Sequence, residues 1–129
     1  MKPHVLLIED NEQNRYLVTF LLERLGWTVR AAEDGPAGIA LATTQPFDLI
    51  LLDIQLPTMD GYAVARALRA SPASVDIPIV AVTSYAMVGD RESALAAGCN
   101  GYIEKPINPE TFVNQISRHL RTSEGAQSR

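Results

Sequence analysis

Cysteine is nearly absent: Cys99 stands alone, so the chain can form no internal disulfide. None is required, because a single core in a chain of 129 residues buries roughly two-thirds of the surface that the unfolded polymer exposes. Long apolar runs are missing as well. No stretch approaches the roughly 18 residues that mark a membrane span, and the apolar run after Met1-Lys2-Pro3-His4 is too short for the core of a secretory signal. Basic runs are also lacking. Eleven basic against fifteen acidic residues give a net charge of -4 and a pI near 5.1, with no Lys/Arg cluster able to neutralise a phosphate backbone. These absences argue against direct nucleic-acid binding and against the membrane, and a cytoplasmic protein is expected. What is present, 47% hydrophobic, 6% aromatic and 20% charged positions, is the profile of one soluble globular domain.

Val5-Leu6-Leu7-Ile8 and Leu49-Ile50-Leu51-Leu52 are unbroken apolar runs, and Ile77 to Val82 is nearly so. Each is short and ends at polar residues, which suits strands buried on both faces, as a parallel sheet requires. Two weaker strands are predicted at Thr28 to Ala32, after the Gly26 stop signal, and at Gly101 to Ile103. Between the strands the apolar period turns helical. Leu17, Phe20, Leu21 and Leu25 are placed on one stripe, with Asn11 as N-cap and Gly26 as stop. Further helices are predicted over Pro36 to Thr44, Gly61 to Ala70, Val88 to Ala97 and Pro109 to Leu120. The last turns Phe112, Val113, Ile116 and Leu120 to the core, whereas the fourth offers mainly Leu95 and alanines and is expected to be held most loosely.

Strands alternating with helices, without repeats, imply right-handed β-α-β units and an α/β fold, a five-stranded parallel sheet with five helices covering both faces. In such folds the site lies beyond the carboxyl ends of the strands, where strand order reverses. Thr122 to Arg129 carries no large apolar residue and is expected to be a mobile tail after a single domain over residues 1–121.

The residues at those carboxyl ends are Glu9-Asp10, Asp53, Thr83-Ser84 and Glu104-Lys105-Pro106. Neighbouring strands lie about 4.8 Å apart, so carboxylates ending the first and third strands crowd together and repel. A hard divalent cation relieves that repulsion. Three oxygen donors with room for water suit Mg²⁺ better than zinc, which favours His or Cys. The negative charges of Glu9, Asp10 and Asp53 are balanced by a divalent ion together with Lys105, and an arriving phosphoryl oxygen would share both cations. Lys105 is one of only two lysines against nine arginines, and a compact amine here suggests a point contact with phosphate. Each residue also has a plainer reading. A strand-end Asp forms a turn or cap, Glu9-Asp10 favours the dipole of the following helix, Thr83 bonds the next turn and Lys105 is solvated. Those readings do not explain why acids, a hydroxyl and an amine fall at four sites on one face.

Val5-Leu6-Leu7-Ile8-Glu9-Asp10-Asn11, the run from Asp48 to Pro57, Met59-Asp60-Gly61, Ala81-Val82-Thr83-Ser84 and Gly101-Tyr102-Ile103-Glu104-Lys105-Pro106 occur in that order. Together they resemble the receiver domain of two-component response regulators over nearly the whole chain. The resemblance implies a flavodoxin-like, doubly wound sheet in the order 2-1-3-4-5. It implies that Asp53 is the phosphoacceptor, supplied by a sensor histidine kinase or a histidine phosphotransfer protein. Asp10, Asp53 and the main-chain carbonyl of Gln55 would ligate Mg²⁺, with Glu9 acting mainly through metal-bound water. Lys105 would hold a phosphoryl oxygen, ahead of a cis peptide bond to Pro106. The Glu9-Asp10 pair, in place of two aspartates, is a common variant in the family.

Thr83 and Tyr102 match the family's switch pair. An acyl phosphate adds nearly two negative charges; Thr83 can donate toward it, vacating space into which Tyr102 turns from solvent. That couples the chemistry to the face of the fourth helix, fifth strand and fifth helix, where a downstream protein partner would bind. Arg91, Glu92, Asn114 and Arg118 lie on predicted solvent faces there. Gln55 and Tyr85 match positions flanking the path of hydrolytic water and are expected to set the phosphoryl lifetime.

Several functions compete. A stand-alone receiver, monomeric or weakly dimeric, fits a first strand that comes at once after Met1, and the segment from Met87 to Asn100 resembles receivers of hybrid kinases and single-domain cell-cycle regulators. A small Mg-dependent phosphatase is disfavoured because Gln55 stands where the common aspartate-nucleophile phosphatases place a second acid. A flavodoxin-like FMN protein lacks the phosphate loop after the first strand, where Glu9-Asp10 would repel the FMN phosphate. An interaction module without phosphorylation leaves the crowded acids unexplained. The expectation is therefore a signalling domain, not an enzyme, that assists its own phosphorylation and dephosphorylation.

Overall fold

A computed structural model describes residues 2–84 and 88–120. The expected tail over 122–129 lies outside them, as does Tyr85. Strands β1 (His4–Ile8), β2 (Thr28–Ala32), β3 (Leu49–Asp53), β4 (Ile79–Thr83) and β5 (Gly101–Glu104) alternate with helices α1 (Glu12–Glu23), α2 (Gly35–Thr44), α3 (Gly61–Ala70), α4 (Asp90–Ala96) and α5 (Pro109–Ser117). The strands form one sheet in the order β2-β1-β3-β4-β5, and every pairing is parallel. The chain reverses direction across the sheet between β1 and β3, which puts the switch point between those two strands.

Side chains alternate across a strand, and here both sets are buried. Leu6 and Ile8, Ile50 and Leu52, and Ile79 and Ala81 pack on the side that carries Ala42 of α2, Val64, Ala65 and Leu68 of α3 and Ala94 of α4. Val5, Leu7, Leu49, Leu51 and Val80 face the other way, onto Val18 and Leu22 of α1 and Phe112 and Ile116 of α5. This two-sided burial is why the three central strands read as unbroken apolar runs. Each fully buried aliphatic or aromatic side chain contributes about 1.5–3 kcal/mol, so the central strands dominate the stability. β2, at the edge, leaves Thr28, Arg30 and Ala31 exposed, hence its weaker signature.

Four helices begin on a side-chain cap. Asn11, Asp34, Asp60 and Asn108 accept bonds of 2.8–2.9 Å from the backbone N–H groups of Asn14, Ala37, Ala63 and Glu110, each worth about 1 kcal/mol. α4 differs: its N-cap is Gly89 at φ 90°, with no side-chain cap bond. Its one buried residue is Ala94, so among the described residues α4 has little local support.

The expected boundaries shift in several places, α2 starting one residue earlier, at Gly35. β4 begins at Ile79 because Pro78, which has no N–H, precedes it, although Ile77 is buried. β5 runs one residue further, to Glu104, α4 is shorter than 88–97, and α5 ends at Ser117. Helix phase also differs from the expected stripe in α1. Val18 and Leu22 are buried, Leu17 and Leu21 half-buried, and Phe20 and Leu25 exposed. Phe20 instead stacks on exposed Tyr16 at 6.2 Å and lies 5.5 Å beneath the Arg24 guanidinium. In α4 it is Ala94, not Leu95, that faces the sheet, because a helix lying close against strands has room only for a methyl group. Phe112 and Ile116 of α5 are buried, with Val113 and Leu120 packed against the same cluster.

At the amino ends of β4 and β5, Arg69 from α3 binds main-chain carbonyls. Its Nε donates to Gly98 at 2.9 Å, and Nη1 donates to Ile77 at 2.7 Å and Val75 at 3.0 Å. Nη2 donates to Asn100 Oδ1 at 2.8 Å, an oxygen that also accepts from the Ile79 N–H at 2.8 Å. The composition gave no hint of this clamp.

Candidate functional site

The ladder of main-chain bonds runs past the carboxyl ends of the strands and places the polar residues beyond them. Glu9 N donates to Ala32 O at 2.9 Å, Ile54 N to Val82 O at 3.0 Å and Lys105 N to Thr83 O at 2.7 Å. With Ile8 opposite Leu52, Glu9 and Asp53 become neighbours on adjacent strands. Carboxylate oxygens of Glu9, Asp10 and Asp53 lie within 4.8 Å of one another. Glu9 and Asp53 are each 3% exposed, whereas Asp10 opens to solvent.

Lys105 Nζ lies 3.0 Å from Glu9 Oε1 and 3.6 Å from Asp53 Oδ2. The second oxygen of each acid is held by backbone: Glu9 Oε2 accepts from Asn11 N at 3.1 Å, and Asp53 Oδ1 from Gln55 N at 3.0 Å. Arg15, which sequence reasoning passed over, turns to main chain and donates to the carbonyls of Glu9 at 3.0 Å and Asp10 at 2.9 Å. That fixes the loop carrying the two acids. One ammonium against three carboxylates leaves the cluster negative. Burial pushes the Asp53 carboxyl up from 3.8 to about 7, the neighbouring Glu9 charge pushes in the same direction, and the Gln55 N–H and Lys105 oppose them. A group of oxygen donors so short of positive charge, with one edge open to water, fits Mg²⁺.

Thr83, the last residue of β4, is buried. Its Oγ1 accepts a 2.5 Å bond from Gln55 Nε2, while Gln55 Oε1 accepts from Ser84 N at 3.2 Å. The Lys105-Pro106 peptide bond is cis. Tyr102 is half-buried. Its ring packs against the core on the α4 side of the sheet, and its hydroxyl is buried with no hydrogen-bond partner among the described residues. The Arg91 guanidinium covers the ring at 5.4 Å, a cation–π contact that holds it in place. Arg91, Glu92, Asn114 and Arg118 keep solvent access as expected, and Cys99 is buried. Among the described residues no helix is long and apolar enough to cross a membrane.

A doubly wound α/β domain that closes three carboxylates and one ammonium at its switch point is of the class that holds a divalent cation beside an anionic group. Over residues 5–117 the chain matches the response regulator receiver domain, and it belongs to that family. Receiver domains are signalling modules that work with histidine kinases or phosphotransfer proteins.

The polar-differentiation response regulator DivK of Brucella anthropi is 38% identical over 120 residues, covering 93% of this chain and 98% of DivK. The signal transduction histidine-protein kinase BarA of Escherichia coli K12 is 37% identical over 125 residues, 97% of this chain, but the chain spans only 14% of BarA's length. Among solved structures, the receiver domain of sensor histidine kinase PA1611 from Pseudomonas aeruginosa superposes with a TM-score of 0.84 at 36% identity, covering 92% of this chain and 98% of that domain. That structure holds a magnesium ion coordinated in its active-site cleft.

Proposed function

We propose that Asp53 accepts a phosphoryl group from the imidazole of a histidine kinase or phosphotransfer protein. The observation that carries this reading is Asp53 itself, a buried carboxylate flanked by two other acids and 3.6 Å from an ammonium. In the transfer a carboxylate oxygen of Asp53 bonds to phosphorus as the bond from phosphorus to the donor nitrogen breaks, and the imidazole keeps the electron pair. Glu9, Asp10 and Asp53, with the main-chain carbonyl of Gln55, would hold Mg²⁺, which supplies neutralisation of the phosphoryl oxygens when bound. Lys105, already within reach of Asp53, neutralises a further oxygen. The Gln55 N–H, bonded to Asp53 Oδ1, leaves Oδ2 as the attacking atom.

Thr83 and Tyr102 would carry the signal toward the face formed by α4, β5 and α5. A cleft of about 310 Å³ there is lined in part by Arg91, Tyr102, Glu104 and Gln115 and suits a downstream protein partner. Gln55 and Tyr85 would govern how long the phosphoryl group persists. The near-complete overlap with DivK supports a stand-alone cytoplasmic regulator, built as one receiver unit over residues 1–121. Intact-mass spectrometry after incubation with acetyl phosphate and Mg²⁺ tests the chemistry. A single labile phosphoryl adduct, absent from Asp53→Asn and from metal-free samples, is the expected result. A folded protein that binds Mg²⁺ yet forms no adduct and releases no phosphate, with acetyl phosphate and with a phosphohistidine protein donor alike, would overturn it.

A further inference from the structure

Gln55 touches both ends of the path between Asp53 and the end of β4. Its main-chain N–H donates to Asp53 Oδ1 at 3.0 Å. Its side-chain amide reaches across to β4, with Nε2 on Thr83 Oγ1 at 2.5 Å and Oε1 on Ser84 N at 3.2 Å. Both amide atoms are thus engaged by consecutive residues, and the base of the side chain is anchored at the acid.

We infer that the Gln55 side chain is a latch that holds Thr83 and Ser84 in the unphosphorylated arrangement, and that releasing it is the first cost of switching. The inference rests on Asp53 being the phosphoacceptor. Thr83 cannot swing its hydroxyl toward Asp53 while Gln55 stays bidentate, because an amide tied to Ser84 cannot follow it. Phosphorylation loosens the other end. An esterified Asp53 has lost its full charge and becomes a poorer acceptor for the Gln55 N–H. One residue therefore reads the charge at the acid through its backbone and restrains the hydroxyl through its side chain. Gln55 is in this role a positioning residue, separate from the expected use of its carbonyl on the metal.

The test uses Gln55→Leu, which keeps the main-chain carbonyl and the side-chain bulk, with Thr83→Val and the double variant alongside. Beryllofluoride with Mg²⁺ serves as the phosphoryl mimic, and amide exchange at Ser84 is followed without metal. Gln55→Leu is expected to bind the mimic roughly five-fold more tightly than the wild type, the equivalent of one net hydrogen bond. It is also expected to speed Ser84 exchange several-fold. In the Thr83→Val background the same substitution should leave mimic affinity unchanged, a coupling that a merely structural role for Gln55 would not produce. Equal or weaker mimic binding by Gln55→Leu, with the wild type binding normally, would overturn the latch and leave the phosphoacceptor reading standing. Failure of the wild type itself to bind the mimic in Mg²⁺ would overturn that reading and the latch with it.

Discussion

Replacing Asp53 by asparagine is expected to stabilise the metal-free protein at alkaline pH. In the folded state the carboxyl titrates near 7 against an ordinary 3.8. On folding, the ionised form therefore carries a penalty of up to about 4 kcal/mol. The unfolded chain releases its proton first, so stability falls as pH rises from about 4 to about 7 and is level above that. Asparagine has the same shape and no charge, and its Oδ1 can still accept from Gln55 N. It forfeits the 3.6 Å contact with Lys105, whose favourable effect is already contained in the raised titration point, while Lys105 keeps Glu9. The net gain near pH 8 is up to about 4 kcal/mol, which for a chain of this length raises the melting temperature by up to about 15 °C. Near pH 5 the folded carboxyl is protonated and the gain falls to less than half. Thermal melts followed by circular dichroism in chelator, at about pH 8 and pH 5, read the difference directly. Millimolar Mg²⁺ should then raise the wild type more than Asp53→Asn, since only the wild type offers the full ligand set. Melting temperatures that coincide at both pH values in chelator would refute the account of the acidic cluster.

Lys105→Ala removes the one ammonium seated among the acids and should lower metal-free stability by about 2–4 kcal/mol; Mg²⁺ should restore more in this variant than in the wild type, as thermal shift in a metal titration would show. Arg69→Ala breaks the main-chain bonds at the amino ends of β4 and β5 and should cost about 3 kcal/mol, read as a lower urea midpoint, with Arg69→Lys recovering little because an ammonium cannot span the same carbonyls. Gly61→Ala would set a Cβ 2.6 Å from Ile54 Cα and 2.8 Å from Asp53 O. Backbone cannot yield easily there, so about 1–3 kcal/mol of destabilisation and a weaker Mg²⁺ affinity by calorimetry are expected.

The central strands were legible in the sequence because burial on both faces writes itself as unbroken apolar runs, and the acids at the carboxyl ends stand immediately after those runs. Helix phase was harder to read where apolar residues surround the helix. α1 and the turn after it carry Leu17, Val18, Phe20, Leu21, Leu22 and Leu25, enough to draw more than one stripe, and only the sheet decides that Val18 and Leu22 go inward. Size misled at α4, where closeness to the strands selects Ala94 over Leu95. Gln55 was legible as a position two residues past the acid. Its grip on Thr83 and Ser84, 28 and 29 residues away, depends on strand order and carries no local signature. The same holds for Arg69, whose partners lie 5–31 residues distant. Tyr102 was placed on the right strand, but its cover by Arg91 carries no local signature because Arg91 comes from another element.

The two ends of α4 are held unequally, and this limits how the helix can move. Arg69 grips the Gly98 carbonyl just past its carboxyl end, next to buried Ala97 and Cys99. At its amino end stand an uncapped Gly89 and a fully exposed Val88. A displacement of α4 would therefore pivot near its carboxyl end. For a seven-residue helix, about 10 Å long, a tilt of about 10° would move the amino end by nearly 2 Å and the carboxyl end hardly at all. The travel of such a lever would be greatest beside Arg91 and Tyr102, so a small change at the strand tips would be magnified at the surface where a partner would read it.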